Sequence, residues 1–203
     1  GGWYGYRTTA AFANLFADKS GATDQRALFS NLDNSVINDI SNFDQGIHVR
    51  KYVNIRSDGG ATSDIQINFS DVDFPVFRLA EMYLIYAEAF LKGGAGADKT
   101  TALSYLNKIR YRAYGESYGT GDEGKLDDFD LKTIIDERGR ELYWEGHRRT
   151  DLIRYGLLTT GTYLWPWKGG VASGTGVDSK YNIFPIPATN LTSNTNLTQN
   201  SGY

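Results

Sequence analysis

The apolar positions of this chain change period along its length. From Gly46 they alternate: Ile47, Val49, Val53 and Ile55, with Lys51 among them, precede the stretch "SDGGATSD", and Ile65, Ile67 and Phe69 follow it. Alternation puts successive side chains on opposite faces of an extended backbone, so this segment predicts a β-hairpin or two extended arms around the glycine turn. From Pro75, a residue suited to a first helical turn, the period becomes helical. In "VFRLAEMYLIYAEAFLKGG" Leu79, Tyr83, Tyr86, Ala87 and Phe90 share one wide face, and Gly93 and Gly94 supply a stop. "DKTTALSYLNKIRYRAYG" carries Leu103, Leu106, Ile109, Arg110 and Ala113 at the same spacing and again ends in glycine. Two such helices joined by a short glycine loop predict an antiparallel helical hairpin over residues 76–114. After the polar "GESYGTGDEGKLDDFD", the stretch "DERGRELYWEGHRRTDLIRYG" predicts a third long helix from Asp136 to Gly156.

The flanks are less regular. Residues 1–46 mix glycine-flanked aromatics with short helical stretches such as "TTAAFANLF", where Thr8 or Thr9 can cap and Ala11, Phe12, Leu15 and Phe16 share a face. Beyond Gly156, "TYLWPWKGGVASGTGVDSKYN" reads as a loop exposing Trp165 and Trp167, and "FPIPATNLTSNTNLTQNSGY" as a proline-stiffened tail laid across a surface. The expected fold is mainly α: tetratricopeptide-like helical hairpins forming an α-α superhelix, with long loops and a small β-hairpin. A loop-rich segment spans 1–75, the helical scaffold 76–156, and the loop and tail 157–203, all parts of one domain. The hairpins have the size of tetratricopeptide units, although the consensus positions match poorly.

Composition narrows the function. With 203 residues the chain can bury a real core, and a net charge of −3 with scattered Lys and Arg gives no footprint for nucleic acid. The absence of cysteine excludes disulfides, thiolate catalysis and cysteine-held metals. No apolar run approaches the length of a bilayer span. Fourteen tyrosines and four tryptophans offer large faces with polar handles, which suit sugars or peptides where core packing does not claim them.

Glu137, Glu141 and Glu145 recur every fourth residue, an acidic stripe that Arg138, Arg148, Arg149 and Asp151 can pair at neighbouring turns. That pattern predicts a salt-bridge ladder. Glycoside hydrolysis instead needs two carboxyls facing each other across a cleft at about 5 or 6.5–9.5 Å, which neighbours on one helix do not supply. His48 and His147 each stand alone, without the spacing of a metal site. Asp122, Glu123, Asp127, Asp128 and Asp130 read as a solvated acidic loop, their spacing differing from that of an EF-hand. No catalytic residue, metal or cofactor is expected. Arg78, Arg110 and Arg138 fall near buried helical faces, with Glu81, Glu88, Glu141 and Glu145 at hand, and a buried arginine must be paired. These are expected to be structural ion pairs that fix helix registry.

Taken together and in order, "FRLAEMYLIYAEA", "ALSYLNKIRYRA", "IIDERGRELYWEGHRRTDLIRYG", "FPIP" and "QNSGY" resemble the carboxyl-terminal half of the SusD/RagB family. The upstream "GYRTTAAFANLF", "DQRALFS", "GIHVRKYVN" and "DVDFPVFR" fit as well. The resemblance implies a non-enzymatic, nutrient-binding outer-membrane lipoprotein at the bacterial cell surface, in the Bacteroidetes. It implies a polysaccharide or oligosaccharide ligand, or peptides in some members, and a SusC-like TonB-dependent transporter as partner. The family's lipidated cysteine and first hairpins are not in this sequence, so membrane attachment is expected only through a lipid anchor outside it. Trp3, Tyr4 and Tyr6 stand in a glycine-rich loop where such proteins often place a sugar-stacking aromatic, and Arg7 can hydrogen-bond hydroxyls. Trp165 and Trp167, stiffened by Pro166, are the second candidate pair. A helical-repeat scaffold for protein partners is the reading from a different class.

Overall fold

A computed structural model describes residues 6–64, 69–119 and 124–203. The chain divides into two compact units, Gly1–Arg148 and Arg149–Tyr203.

The first unit is built on three helices. Helix α2 (Leu79–Leu91) buries Ala80, Leu84, Ala87 and Glu88. It ends as its glycines require: Gly93 takes φ +80°, and the Gly94 amide donates back to the Ala89 carbonyl at 2.8 Å, closing the last turn. Helix α3 (Lys99–Tyr114) starts where the Asp98 carboxylate accepts from the Thr101 amide at 2.9 Å. The two helices form a hairpin whose faces meet at Leu84, Ala87, Ala102 and Leu106 and whose rim stacks Tyr83 on Tyr105 at 4.4 Å. Leu79, expected on the buried face, is 64% exposed instead. Helix α4 (Leu131–Leu142) is capped by Asp130 at 2.7 Å from the Thr133 amide and adds Ile134 and Leu142 to the same core. Within α4, Gly139 admits close neighbours: a Cβ there would meet Leu15 Cδ1 at 2.9 Å and Arg148 Nη1 at 3.1 Å.

The third long helix is broken. After Leu142 the backbone turns extended at Tyr143, left-handed at Trp144 (φ +61°) and left-handed again at Gly146 (φ +80°) before α5 (Arg148–Arg154) begins. The predicted hairpin also differs. The two-stranded antiparallel sheet pairs β1 (Phe29–Ser30) with β2 (His48–Val49), in the register Phe29 with Val49 and Ser30 with His48. Thr8 bridges to Ile47 beside it. Residues 65–68, the expected second arm, lie outside the described residues. Helix α1 (Ala10–Ala13) is a single turn, and the Thr9 side chain at its start makes no capping bond. A second core of Phe16, Ala27 and Tyr143, with Phe12, Leu15, Phe29 and Val49 against it, joins these elements to the end of α4.

In the second unit the tail is held by its own neighbours. The Gln199 side chain brackets Ile186, accepting from its amide at 2.8 Å and donating to its carbonyl at 2.9 Å. Asn200 donates to the Phe184 carbonyl, and the single Tyr203 hydroxyl proton is shared between the carbonyls of Ile183 and Lys180, at 2.9 and 3.1 Å. Thus "QNSGY" secures "FPIP" through backbone groups, after the short helix α6 (Ala188–Ser193) reverses the chain. Buried Lys168 donates from Nζ to the carbonyls of Thr160 and Tyr163.

Candidate functional site

The acidic stripe pairs mainly with arginines from other elements rather than along its own helix. Glu137 is fully buried and is met at 2.6–2.7 Å by Arg26, Arg110 and Arg140. Arg26 is held a second time by Asp24, at 2.7 Å. One turn on, Glu141 accepts from Arg78 at 2.9 Å, from Arg112 at 2.5 Å and from Arg26 at 3.3 Å. Glu145 lies beyond α4, yet the turn at Trp144 returns it to the same cluster, where Arg78 Nε donates at 2.7 Å and Lys51 forms a short contact. Lys51 Nζ also donates to the Glu141 and Tyr143 carbonyls, at 2.8 and 2.9 Å.

Electrostatics follow from this packing. Burial pushes the Glu137 carboxyl up, but the charges of Arg26, Arg140 and Arg110 outweigh it and hold the group below the ordinary carboxylate range. Glu145 is likewise lowered, burial being overcome by hydrogen bonds from Arg78 and Lys51. Burial pushes the Tyr143 hydroxyl up to about 12 and brings Lys51 below its usual value. Carboxylates held ionised in this way carry no proton to donate near neutrality, so neither Glu137 nor Glu145 is placed to act as a general acid. A group whose folded pKa is depressed adds stability above its unfolded value and loses it as pH falls through the folded one. Thermal unfolding of the chain should therefore keep a constant midpoint above about pH 6 and fall steeply below about pH 4, the ordinary glutamate range. A midpoint independent of pH down to about 3 would contradict that assignment.

The cluster lines an open cavity of about 390 Å³, to which Gln25, Leu28 and Tyr52 also contribute. The remaining ion pairs are more conventional. Arg138, 3% exposed at its side chain, stands 3.8 Å from Glu81, which also lies 3.5 Å from His147 Nδ1. Glu88 pairs with Lys92 one turn along α2. The acidic loop is used locally: Asp128 pairs with Lys99 and Asp130 caps α4, while Asp122 and Glu123 lie outside the described residues.

Of the expected ligand residues, Trp3 and Tyr4 lie outside the described residues. Tyr6 is 86% exposed, and Arg7 donates to the Ile40 carbonyl at 2.7 Å with its guanidinium over the Phe43 ring. Both belong to the first unit. In the second, Trp165 and Trp167 are half-buried rather than exposed. Lys168 Nζ lies 4.6 Å from the centre of the Trp165 ring, and Trp167 takes φ +68°. Sequence reasoning missed Asp24, Arg26, Lys51, Arg112 and Arg140 as members of the buried network. The available signal was slight: "DQRALFS" sets an acid and an arginine two apart just before an apolar run.

Residues 2–203 match the family model of the SusD family. The chain is 42% identical over 164 residues to the starch-binding protein SusD of Bacteroides thetaiotaomicron, an alignment covering 81% of this chain and 27% of that protein. Its fold is similar to that of surface glycan-binding protein A of the same organism, solved in complex with laminarihexaose, with TM-score 0.60 and 25% identity over 93% of this chain and 39% of that one. A SusD superfamily protein of Bacteroides fragilis shares the fold at TM-score 0.60 and 23% identity, over 98% of this chain and 40% of that one. The chain thus spans about a quarter of the curated relative's length and about two fifths of the solved ones.

Proposed function

We propose that this chain, which belongs to the SusD family, is part of a cell-surface protein that binds an oligosaccharide or polysaccharide for nutrient uptake with a SusC-like TonB-dependent transporter. It acts by capture and not by chemistry. The observation that carries the reading is the 42% identity to a starch-binding protein across 81% of the chain. The aromatic residues Trp3, Tyr4 and Tyr6 supply the stacking surface, with Arg7 beside them and Trp165 and Trp167 as a second group. A flat ring presents its face to the apolar C–H face of a pyranose, and the exposure of Tyr6 suits that role. Among the described residues no helix is long and apolar enough to cross a membrane. Peptide capture by strand addition would want a long open sheet edge, whereas the strands described here are two residues each.

Calorimetric titration with laminarihexaose and a malto-oligosaccharide tests the proposal. Trp3→Ala and Tyr6→Ala should each weaken glycan binding by about 1–3 kcal/mol, the range for an aromatic ring stacked on a flat partner, without lowering the unfolding midpoint. Failure to bind any glycan in a broad panel would refute the function. Unchanged affinity in both variants would move the site to Trp165 and Trp167.

A further inference from the structure

The cavity beside Glu141 has an imbalance that the ion pairs do not remove. Five cationic side chains line it, Arg26, Lys51, Arg78, Arg112 and Arg140, against the two carboxylates Glu141 and Glu145. Counting Asp24, Glu137 and Arg110 behind the wall still leaves six cations against four carboxylates among the described residues. The acceptors are taken. Both Glu141 oxygens receive guanidinium N–H groups, one from Arg78 and Arg112 and the other from Arg26 and Arg112. Both Glu145 oxygens are held by Arg78, one of them shared with Lys51.

Donors are left over. Arg140 Nε is buried and has no hydrogen-bond partner, although that side chain's two terminal nitrogens are engaged with Leu15 and Glu137. Arg112, 57% exposed at its side chain, uses one terminal nitrogen for Glu141, which leaves Nε and the other terminal nitrogen. Arg140 Nε is too buried for a ligand to reach, whereas the exposed N–H groups of Arg112 and the surplus of positive charge favour an occupant that supplies acceptors. A neutral sugar hydroxyl both accepts and donates, and it does nothing to offset a wall with an excess of cations. A carboxylate only accepts, and it also offsets the excess of positive charge. Tyr52, 36% exposed, and Leu28, 40% exposed, add an aromatic and an aliphatic surface to the polar wall. The volume, about 390 Å³, falls within the range of small-ligand pockets.

We infer that this cavity is a subsite for an acidic sugar: a hexuronate unit whose carboxylate is met by the free N–H groups of Arg112 and whose ring lies on Tyr52 and Leu28. The inference rests on the glycan-binding reading and names a ligand class for it. Trigalacturonate, its fully methyl-esterified form and neutral laminarihexaose are the probes, titrated into the chain at low and moderate salt. Trigalacturonate should bind at least tenfold more tightly than its methyl ester, with affinity falling as salt rises, since charge is the only substantial difference between the two. Arg112→Gln should remove most of that preference and Tyr52→Ala should weaken both galacturonides. Equal binding of acid and ester to the unaltered chain overturns the inference without needing any variant. So does binding of laminarihexaose with none of trigalacturonate, an outcome that leaves the glycan reading standing. Binding of none of the three overturns the subsite and counts against the broader reading as well.

Discussion

Replacing Glu137 with alanine should cost the chain about 3–5 kcal/mol of folding stability, the penalty for stranding buried charge. The carboxylate is fully buried and serves three guanidinium groups from three different segments, Arg26, Arg110 and Arg140. With it gone, Arg26 keeps Asp24 and a longer contact to Glu141, whereas Arg110 and Arg140 keep mainly backbone carbonyls. Folded domains have only about 5–15 kcal/mol in hand, so the variant should be marginal. Denaturant titration at neutral pH measures the loss, and a change below about 1 kcal/mol would mean that the cluster behaves like a solvated surface network.

Phe16→Ala should fall in the same range, about 3–5 kcal/mol, for an unrelated reason: a cavity in an aromatic core. Phe16 is 2% exposed and packs edge-on against Phe29 at 5.2 Å, Phe12 at 6.1 Å and Tyr143 at 6.2 Å. Tyr143 in turn donates its hydroxyl to the Arg26 carbonyl at 2.7 Å and its own carbonyl receives Lys51. The two substitutions are therefore coupled through Tyr143, and their combined loss, read from the same unfolding curves, should depart from the sum of the single losses. Strict additivity would show that the aromatic core and the ion cluster are independent.

How much of this was legible in the sequence depends on separation along the chain. The α2–α3 hairpin could be read because its signals are local: apolar residues one turn apart and glycine at the ends. The start of α4 was placed at Asp136 instead of Leu131, because Asp130 sits in an acidic run that reads as a solvated loop rather than as a cap. The break at Trp144 was missed because the apolar and acidic spacing continues through it, although Gly146 marked the place. The alternation around Val49 was read but its partner was not, since Phe29–Ser30 is too short to carry an alternation of its own. The charged cavity was hidden for the same reason on a larger scale. Arg26 and Glu137 are 111 positions apart, and Arg78 and Glu141 are 63 apart, so no window on the sequence contains both partners. What the sequence did carry was the demand: an arginine on a buried face needs a carboxylate. Its identity waits on tertiary structure.

That separation has a kinetic consequence. Helices α2 and α3 are joined by a few residues and can meet early, at little loop-closure cost. The Glu137 cluster must bring together segments more than a hundred residues apart, and its desolvated charges reward the chain only when all three guanidinium groups have arrived. It is thus suited to act as a late latch, forming on the native side of the folding barrier. A latch of that kind leaves the refolding rate almost untouched when it is removed and shows itself in faster unfolding. Slow opening is a form of stability that equilibrium measurements alone would not reveal.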